Sequence, residues 1–375
     1  MDRLIYFDNN ATTKPDPRVL DAMMPYLTKY YGNASSRLHE YGWVAEAAVE
    51  KARKQVADMI GAEPSEIIFT SGATESINTA IKGIYRAYRS KGNHIITVKT
   101  EHKAVLDSCE YLKEWEKAEI TYLDVNREGL IDIDELRASV RSSTIMISVM
   151  AANNETGVIQ PIEPVAEIAK ENKVIFFSDV TQYAGKMRLN VKEAGIDCLC
   201  LSAHKFYGPK GIGALYLQRR NPRVNIVPLV QGGSQENSRR AGTLNVPLIV
   251  GFGMACEIAL QEMWDNNTEV SKLRAYFEHQ LTEAEGLRIN GSTRHRLYNT
   301  SNITFPQTMN ISRHLKQFAF SSGSACATGI TEPSHVLKAM QIPEEEIKNT
   351  FRFSFGKYNS SEEIKAFIGK AFSGI

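Results

Sequence analysis

A lysine stands between two short apolar runs in "LSAHKFYGPKGIGALYL", residues 201–217, where folding alone gains little from one. Lys205 follows Ser202 and His204 and precedes glycines at 208, 211 and 213. Four other apolar runs also end in polar residues. "EIIFT" leads into Ser71, Gly72, Ala73 and Thr74, which open a helical pattern whose free backbone N–H groups and dipole favour an anion such as phosphate. "HIITVKT" is followed by Glu101 and His102, "TIMISVM" by Asn153 and Asn154, and "VIFFS" by Asp179, with Gln182 three residues on. Singly, each has an ordinary structural explanation: a helix cap, a satisfied polar group, a surface lysine. Together they form the set that pyridoxal phosphate requires. The lysine forms a Schiff base, the carboxylate holds the pyridine nitrogen protonated, the imidazole stacks on the ring and the helix start takes the phosphate.

The elements that must position these residues alternate along the chain. Residues 66–72, 94–100, 144–150, 174–180 and 197–203 are apolar runs of strand length, separated by longer amphipathic stretches. In "SGATESINTAIKGIYRAY", Ile77, Ala80, Ile81, Ile84 and Tyr88 keep helical spacing. Such alternation predicts an α/β fold with a mostly parallel sheet covered on both faces, in which chemistry gathers past the carboxyl ends of the strands. Near residue 245 the texture changes to a long helical pattern, "VPLIVGFGMACEIALQEMW". The expected division is a large cofactor-binding domain over 16–250 and a smaller α+β domain from 1–15 and 251–375, with the first residues as an arm.

Competing motifs are weak. "GPKGIGA" matches neither G-x-x-x-x-G-K-[ST] nor G-x-G-x-x-G. Cys198 and Cys200 share one face of an apolar strand with no second pair or histidine cluster, so they are expected in the core, and no metal site is expected. Cys326 differs: "FSSGSACATGI", residues 320–330, offers little apolar area to bury, so an accessible, nucleophilic thiol is expected there. Composition excludes other classes. With 44 Lys+Arg against 43 Asp+Glu the net charge is +1, which gives no electrostatic reason to expect nucleic acid or an anionic membrane. The apolar run "PLIVGFGMAC" is far short of the ~20 residues of a membrane span. Five cysteines, with no signal-peptide pattern at the start, predict a reduced, cytoplasmic protein.

At these residues the sequence resembles the cysteine desulfurases of the class V aminotransferase family, the NifS/IscS-like group. "FDNNATT", "TSGATES", "TEHKAVL", "NNETGVIQP", "SDVTQYAGK", "SAHKFYGPKGIGALY", "RRAGTLNV", "SSGSACATG" and "FRFSFGKYNSSEEI" occur in the family's order over essentially the whole chain. The resemblance implies a fold type I, pyridoxal-phosphate-dependent homodimer with a seven-stranded-type sheet, which converts L-cysteine to L-alanine and holds the sulfur as a persulfide on Cys326. It implies that Lys205 carries the cofactor, Asp179 faces the pyridine nitrogen, His102 stacks on the ring and Gln182 bonds the phenolic oxygen. Asn154 would lie near cofactor and substrate. Ala73, Thr74, Ser202 and His204 would bind the phosphate, with Thr243 reaching in from the other subunit, and Arg352 would grip the substrate carboxylate. Lys205, His102 and Cys326 would be the catalytic set, His102 being the nearest group for a thiol proton.

The same resemblance leaves alternatives open. A transaminase or lyase of this fold would share all but Cys326, a selenocysteine lyase would share that too, and a catalytically silent relative would bind no cofactor. Members that dock an iron–sulfur scaffold continue beyond the point where this sequence stops, so a scaffold is one expected sulfur acceptor among others. The segment 305–318, "FPQTMNISRHLKQF", departs from the acidic, glycine-containing pattern usual before the cysteine loop.

Overall fold

Strand and helix alternate from the first residues onward in the computed structural model, which describes residues 4–281, 286–309, 311–322 and 333–372. The chain runs β1 (Ile5–Tyr6), α1 (Pro17–Thr28), α2 (Glu40–Ile60), β2 (Ile67–Thr70), α3 (Ala73–Tyr88), β3 (His94–Val98), α4 (Lys103–Glu116), β4 (Glu119–Leu123), α5 (Ile133–Ser139), β5 (Thr144–Ser148), α6 (Ile162–Asn172), β6 (Ile175–Asp179), β7 (Cys198–Ser202) and β8 (Gly213–Leu217). It continues through α7 (Val246–Leu281), β9 (Arg288–Ile289), β10 (Thr300–Thr304), β11 (Phe318–Ala319), β12 (Ser321–Ser322), α8 (His335–Ala339), α9 (Glu344–Ile347), β13 (Thr350–Ser354) and α10 (Ser361–Phe372).

Seven strands form the main sheet in the order β2-β8-β7-β6-β5-β3-β4. All neighbours are parallel except β8, which runs antiparallel to both β2 and β7. Every residue of β2, β3, β5, β6, β7 and β8 is buried, because helices cover both faces and a strand there has no wet side. The five strands read from the sequence are all present. Two more complete the sheet. At the edge, β4 ("EITYL") is mostly half-buried and lacks a continuous apolar run, while β8 follows the glycine-rich turn at 208–213. Cys198 and Cys200 are fully buried in one apolar cluster on a single face, as expected of core thiols.

A smaller four-stranded sheet, β12-β13-β10-β9, is antiparallel throughout, and a phenylalanine-rich core packs against it. Phe7, Phe277, Phe353 and Phe367 meet there at ring-centroid distances of 4.8–6.2 Å. The arm joins this core through β1, which pairs in parallel with β11. Helix α7 connects the two regions. Its first half, with Val246, Ile249 and Phe252, belongs to the core of the large sheet, and its second half, with Val270, Phe277 and Leu281, to the phenylalanine core. The expected domain limit at 250/251 therefore falls inside one continuous helix. By length and composition α7 could cross a membrane, but just over half of its most apolar window is buried against the protein, as in a core helix. Close approach to α2 requires Gly253, where a Cβ would lie 2.7 Å from Ala52 Cα.

Candidate active site

The carboxyl ends of β2, β3, β5, β6 and β7 open onto one cleft of about 540 Å³. Ala73, Thr74, His102, Asn154, Asp179, Gln182, Ser202, His204, Lys205 and Arg352 all line it. Parallel strands deliver their following loops to the same side, so Ala73 and Lys205, 132 positions apart, converge without local sequence contact. Thr243 is exposed and does not line the cleft of its own chain. Cys326 lies outside the described residues.

Helix α3 starts at the cleft with no side-chain cap, because its N-cap is Gly72, held at φ 152°, ψ −179°. Only glycine adopts that conformation readily. A second glycine is needed opposite: a Cβ on Gly213 would stand 2.7 Å from Gly72 Cα, so the first position of β8 can carry none. The uncapped first turn of α3 faces a region also lined by Ser202, His204 and Lys210. Burial, then the neighbouring cations Lys205, Lys210 and Lys186, push the His204 imidazole down to about 4. It is neutral at physiological pH. One ring nitrogen, Nδ1, meets Thr12 Oγ1 at 3.1 Å.

Lys205 sits in a single 3₁₀ turn directly after β7, and its Nζ donates to the backbone oxygens of Asn10 (2.6 Å) and Ala11 (2.9 Å). Burial, then the nearby Arg352 guanidinium, lower its pKa to about 8, against the opposing pull of Asp179 and Asp8. Asp179, at the end of β6, is buried and accepts the Thr181 N–H on Oδ1 at 2.9 Å. Beside it Glu101 is fully buried; its Oε1 accepts the Met150 N–H, and burial, then Asp179, push its carboxyl well above the usual carboxylate range. His102 caps α4, with Nδ1 accepting the Ala104 N–H at 3.1 Å. In the neutral ring Nε2 therefore carries the proton.

Arg352, at the centre of β13, reaches the cleft from the small sheet. Nη1 donates to Asn154 O (3.0 Å), and Nη2 to Asp8 Oδ1 (2.6 Å) and Ser321 Oγ (2.8 Å), while Nε is buried without a partner. The guanidinium lines the cleft, and its planar fork is suited to a carboxylate ligand. Four residues at or behind the site, Asp8, Asn10, Lys186 and Lys210, were not assigned from the sequence. All four lie in motifs singled out from the sequence, "FDNNATT", "SDVTQYAGK" and "SAHKFYGPKGIGALY", but nothing local shows which way their side chains turn.

The family model for class V aminotransferases matches residues 5–367. Human cysteine desulfurase is 46% identical over the whole of this chain and 82% of its own length, and cysteine desulfurase IscS of Mannheimia succiniciproducens is 48% identical over 99% of this chain and 92% of its own. A solved NifS-like protein superposes with a TM-score of 0.91 at 37% identity, covering 98% of each chain. The chain belongs to the class V aminotransferase family, in its cysteine desulfurase group.

This family uses pyridoxal phosphate, and the cleft fits that group. A dianionic phosphate needs several convergent donors, which the uncapped start of α3, the His204 ring and the Ser202 hydroxyl, once turned from Ile212 O at 3.4 Å, can supply. A protonated pyridine nitrogen needs a carboxylate that stays buried and fixed, as Asp179 does. An amine whose pKa is brought near 8 is available unprotonated to react with an aldehyde.

Proposed function

We infer that the cleft converts L-cysteine to L-alanine, leaves the sulfur on Cys326 as a persulfide and passes it to an acceptor protein for iron–sulfur cluster assembly or thio-cofactor synthesis. The observation that carries this reading is the meeting of Lys205, Asp179 and Arg352 in one cleft, supplied by two different sheets. Lys205 holds pyridoxal phosphate, with Asp179, Gln182, Asn154 and His102 around the ring and Ala73, Thr74, Ser202 and His204 at the phosphate. Once bound, this cofactor supplies a sink for the electron pair left at the substrate Cα. Arg352 binds the substrate carboxylate and fixes which bond at Cα faces Lys205. The lysine amine, with its pKa near 8, can then take and return the Cα proton near neutral pH.

Sulfur transfer follows with balanced atoms. The Cys326 thiolate forms an S–S bond to the substrate sulfur as the Cβ–S bond breaks, and the electron pair of that bond stays on carbon, which is protonated to give alanine. Accepting a thiol proton leaves the His102 ring protonated on Nδ1 as well as Nε2, and so loses the cap to Ala104. That cap is worth about 1 kcal/mol, too little to forbid the exchange. Holoenzyme given L-cysteine and a reductant should release alanine and sulfide in equal amounts. Pyruvate and ammonia as the main products would instead identify an eliminating lyase.

Arg352→Lys tests the carboxylate reading. A lysine keeps the charge but loses the planar fork, so KM for L-cysteine should rise about 10- to 100-fold while cofactor content is unchanged. An unchanged KM would remove Arg352 from substrate binding.

The assembly is read as a homodimer. Leu20, Met24 and Leu27 form an exposed apolar stripe at helical spacing on α1, and Tyr31 and Leu38 on the segment after it and Trp43 in the first turn of α2 are also exposed. In such a dimer Thr243, exposed on its own chain, completes the partner's phosphate site. Lys205→Ala and Thr243→Ala subunits, inactive or impaired separately, should then regain activity when mixed and re-dimerised, because one of the two sites is intact. No gain over the parents after verified exchange would argue against a shared site. Cys109, Cys198, Cys200 and Cys256 are all free and buried, in keeping with a reducing compartment such as the cytoplasm.

A further inference from the structure

Lys186 is a second lysine behind the cleft, seven residues after Asp179, and only 5% of it is exposed. It does not line the cleft. It borders a separate cavity of about 20 Å³ that Lys205 also lines, and its amine is engaged by two side chains, which sets it apart from Lys205 as the attachment point for a cofactor. A buried amine is costly unless its hydrogens are used. Two of them are: Nζ donates to Gln182 Oε1 at 2.7 Å and to Asn10 Oδ1 at 3.2 Å. Burial, then Lys205 and Arg352, push this amine well below its usual range, so it can act as a donor while adding little charge beside the cleft.

The consequence lies in Gln182. A side-chain amide has one accepting and one donating end, and nothing in the glutamine itself decides which end faces where. Here Oε1 is taken by Lys186, and Nε2 donates one hydrogen to Asn10 O at 2.9 Å. The remaining Nε2–H is left for the cleft that Gln182 lines. A phenolic oxygen of a bound pyridoxal ring is an acceptor, so the glutamine helps only if it presents nitrogen. Turned over, it would set its own oxygen against that oxygen. Asn10 is fixed in the same way: Oδ1 accepts from Lys186 and from Asn299 Nδ2 (3.1 Å), which leaves Nδ2 to donate to Asn154 O (3.2 Å) and Thr300 Oγ1 (2.8 Å).

We propose that Lys186 is a positioning residue that locks the Gln182 amide with its N–H toward the cofactor, and so contributes to pyridoxal phosphate affinity without touching the cofactor. This rests on the reading of the cleft given above. Lys186→Met keeps the bulk of the side chain and removes the donor.

The test is a double-mutant cycle on the full-length dimeric holoenzyme, reading the dissociation constant of pyridoxal phosphate by equilibrium dialysis and the pH midpoint of its visible absorbance. Lys186→Met and Gln182→Met should each weaken binding about tenfold and shift the midpoint in the same direction. The double variant should be no weaker than either single one. Should Lys186→Met fail to fold as a dimer, Lys186→Leu, which likewise removes the donor, enters the same cycle. Wild-type affinity in the lysine variant, or effects that multiply in the double variant, would overturn the proposal alone, because Lys186 would then act on structure and not through Gln182. Wild-type protein that takes up no pyridoxal phosphate would overturn the reading of the cleft and this proposal together.

Discussion

Replacing Lys205 with alanine should abolish multiple turnover, with loss of about a thousandfold or more, since general acid–base catalysis alone contributes 10²–10⁴ and attachment of the cofactor is lost with it. The wild-type protein with pyridoxal phosphate should be yellow, and borohydride should fix the cofactor covalently to the peptide that carries Lys205. The environment adds a pH signature. Burial, then Arg352, lower the amine to about 8, so the unprotonated fraction grows as pH rises and approaches completion above that value. Capture of pyridoxal phosphate by apoprotein should accelerate with pH and level off above about 8. In Arg352→Gln, where a neighbouring cation is gone, the same curve should move to higher pH. Multiple-turnover activity in Lys205→Ala would remove this lysine from the mechanism, and a pH-independent capture rate would contradict the electrostatic account.

Cys326→Ser should be equally damaging but at a later point. On the proposed reading Lys205, Asp179 and Arg352 would handle cofactor binding, substrate binding and proton transfer at Cα, and all three line the cleft. The variant should therefore keep its full complement of pyridoxal phosphate and still change its visible spectrum on addition of L-cysteine. Alanine and persulfide formation should fall together, on the order of a thousandfold, because a serine hydroxyl is a poor nucleophile toward sulfur at neutral pH. Wild-type enzyme treated with L-cysteine and no reductant should gain one sulfur atom on the peptide carrying Cys326. The other four cysteines are buried, and burial raises their thiols, which leaves them unreactive. Extra sulfur on any of those four, or near wild-type alanine production by the serine variant, would refute the assignment.

Much of this architecture was legible before any coordinates. The alternating strands and helices follow from apolar periodicity, which is local, and a parallel sheet necessarily gathers its strand ends on one side. That argument reached Ser71–Thr74, His102, Asn154, Asp179 and Lys205 without a contact being known. Two strands escaped it for opposite reasons. At the edge of the sheet β4 needs no continuous apolar run, and in β8 the flanking glycines resemble a turn while serving the close packing of Gly213 on Gly72.

The set of chemical groups and the strand ends that hold them follow from residue type and short-range spacing. The tertiary structure alone decided their pairing. Arg352 bonds Asp8 across 344 positions of chain, Gln182 and Lys205 bond Asn10 across 172 and 195, and Lys186 turns a glutamine whose orientation its own residue type leaves undetermined. Such contacts depend on how the arm and the small sheet dock against the large one. That docking is set by burial of the phenylalanine core and by helix α7, which belongs to both regions, and short-range spacing does not encode it.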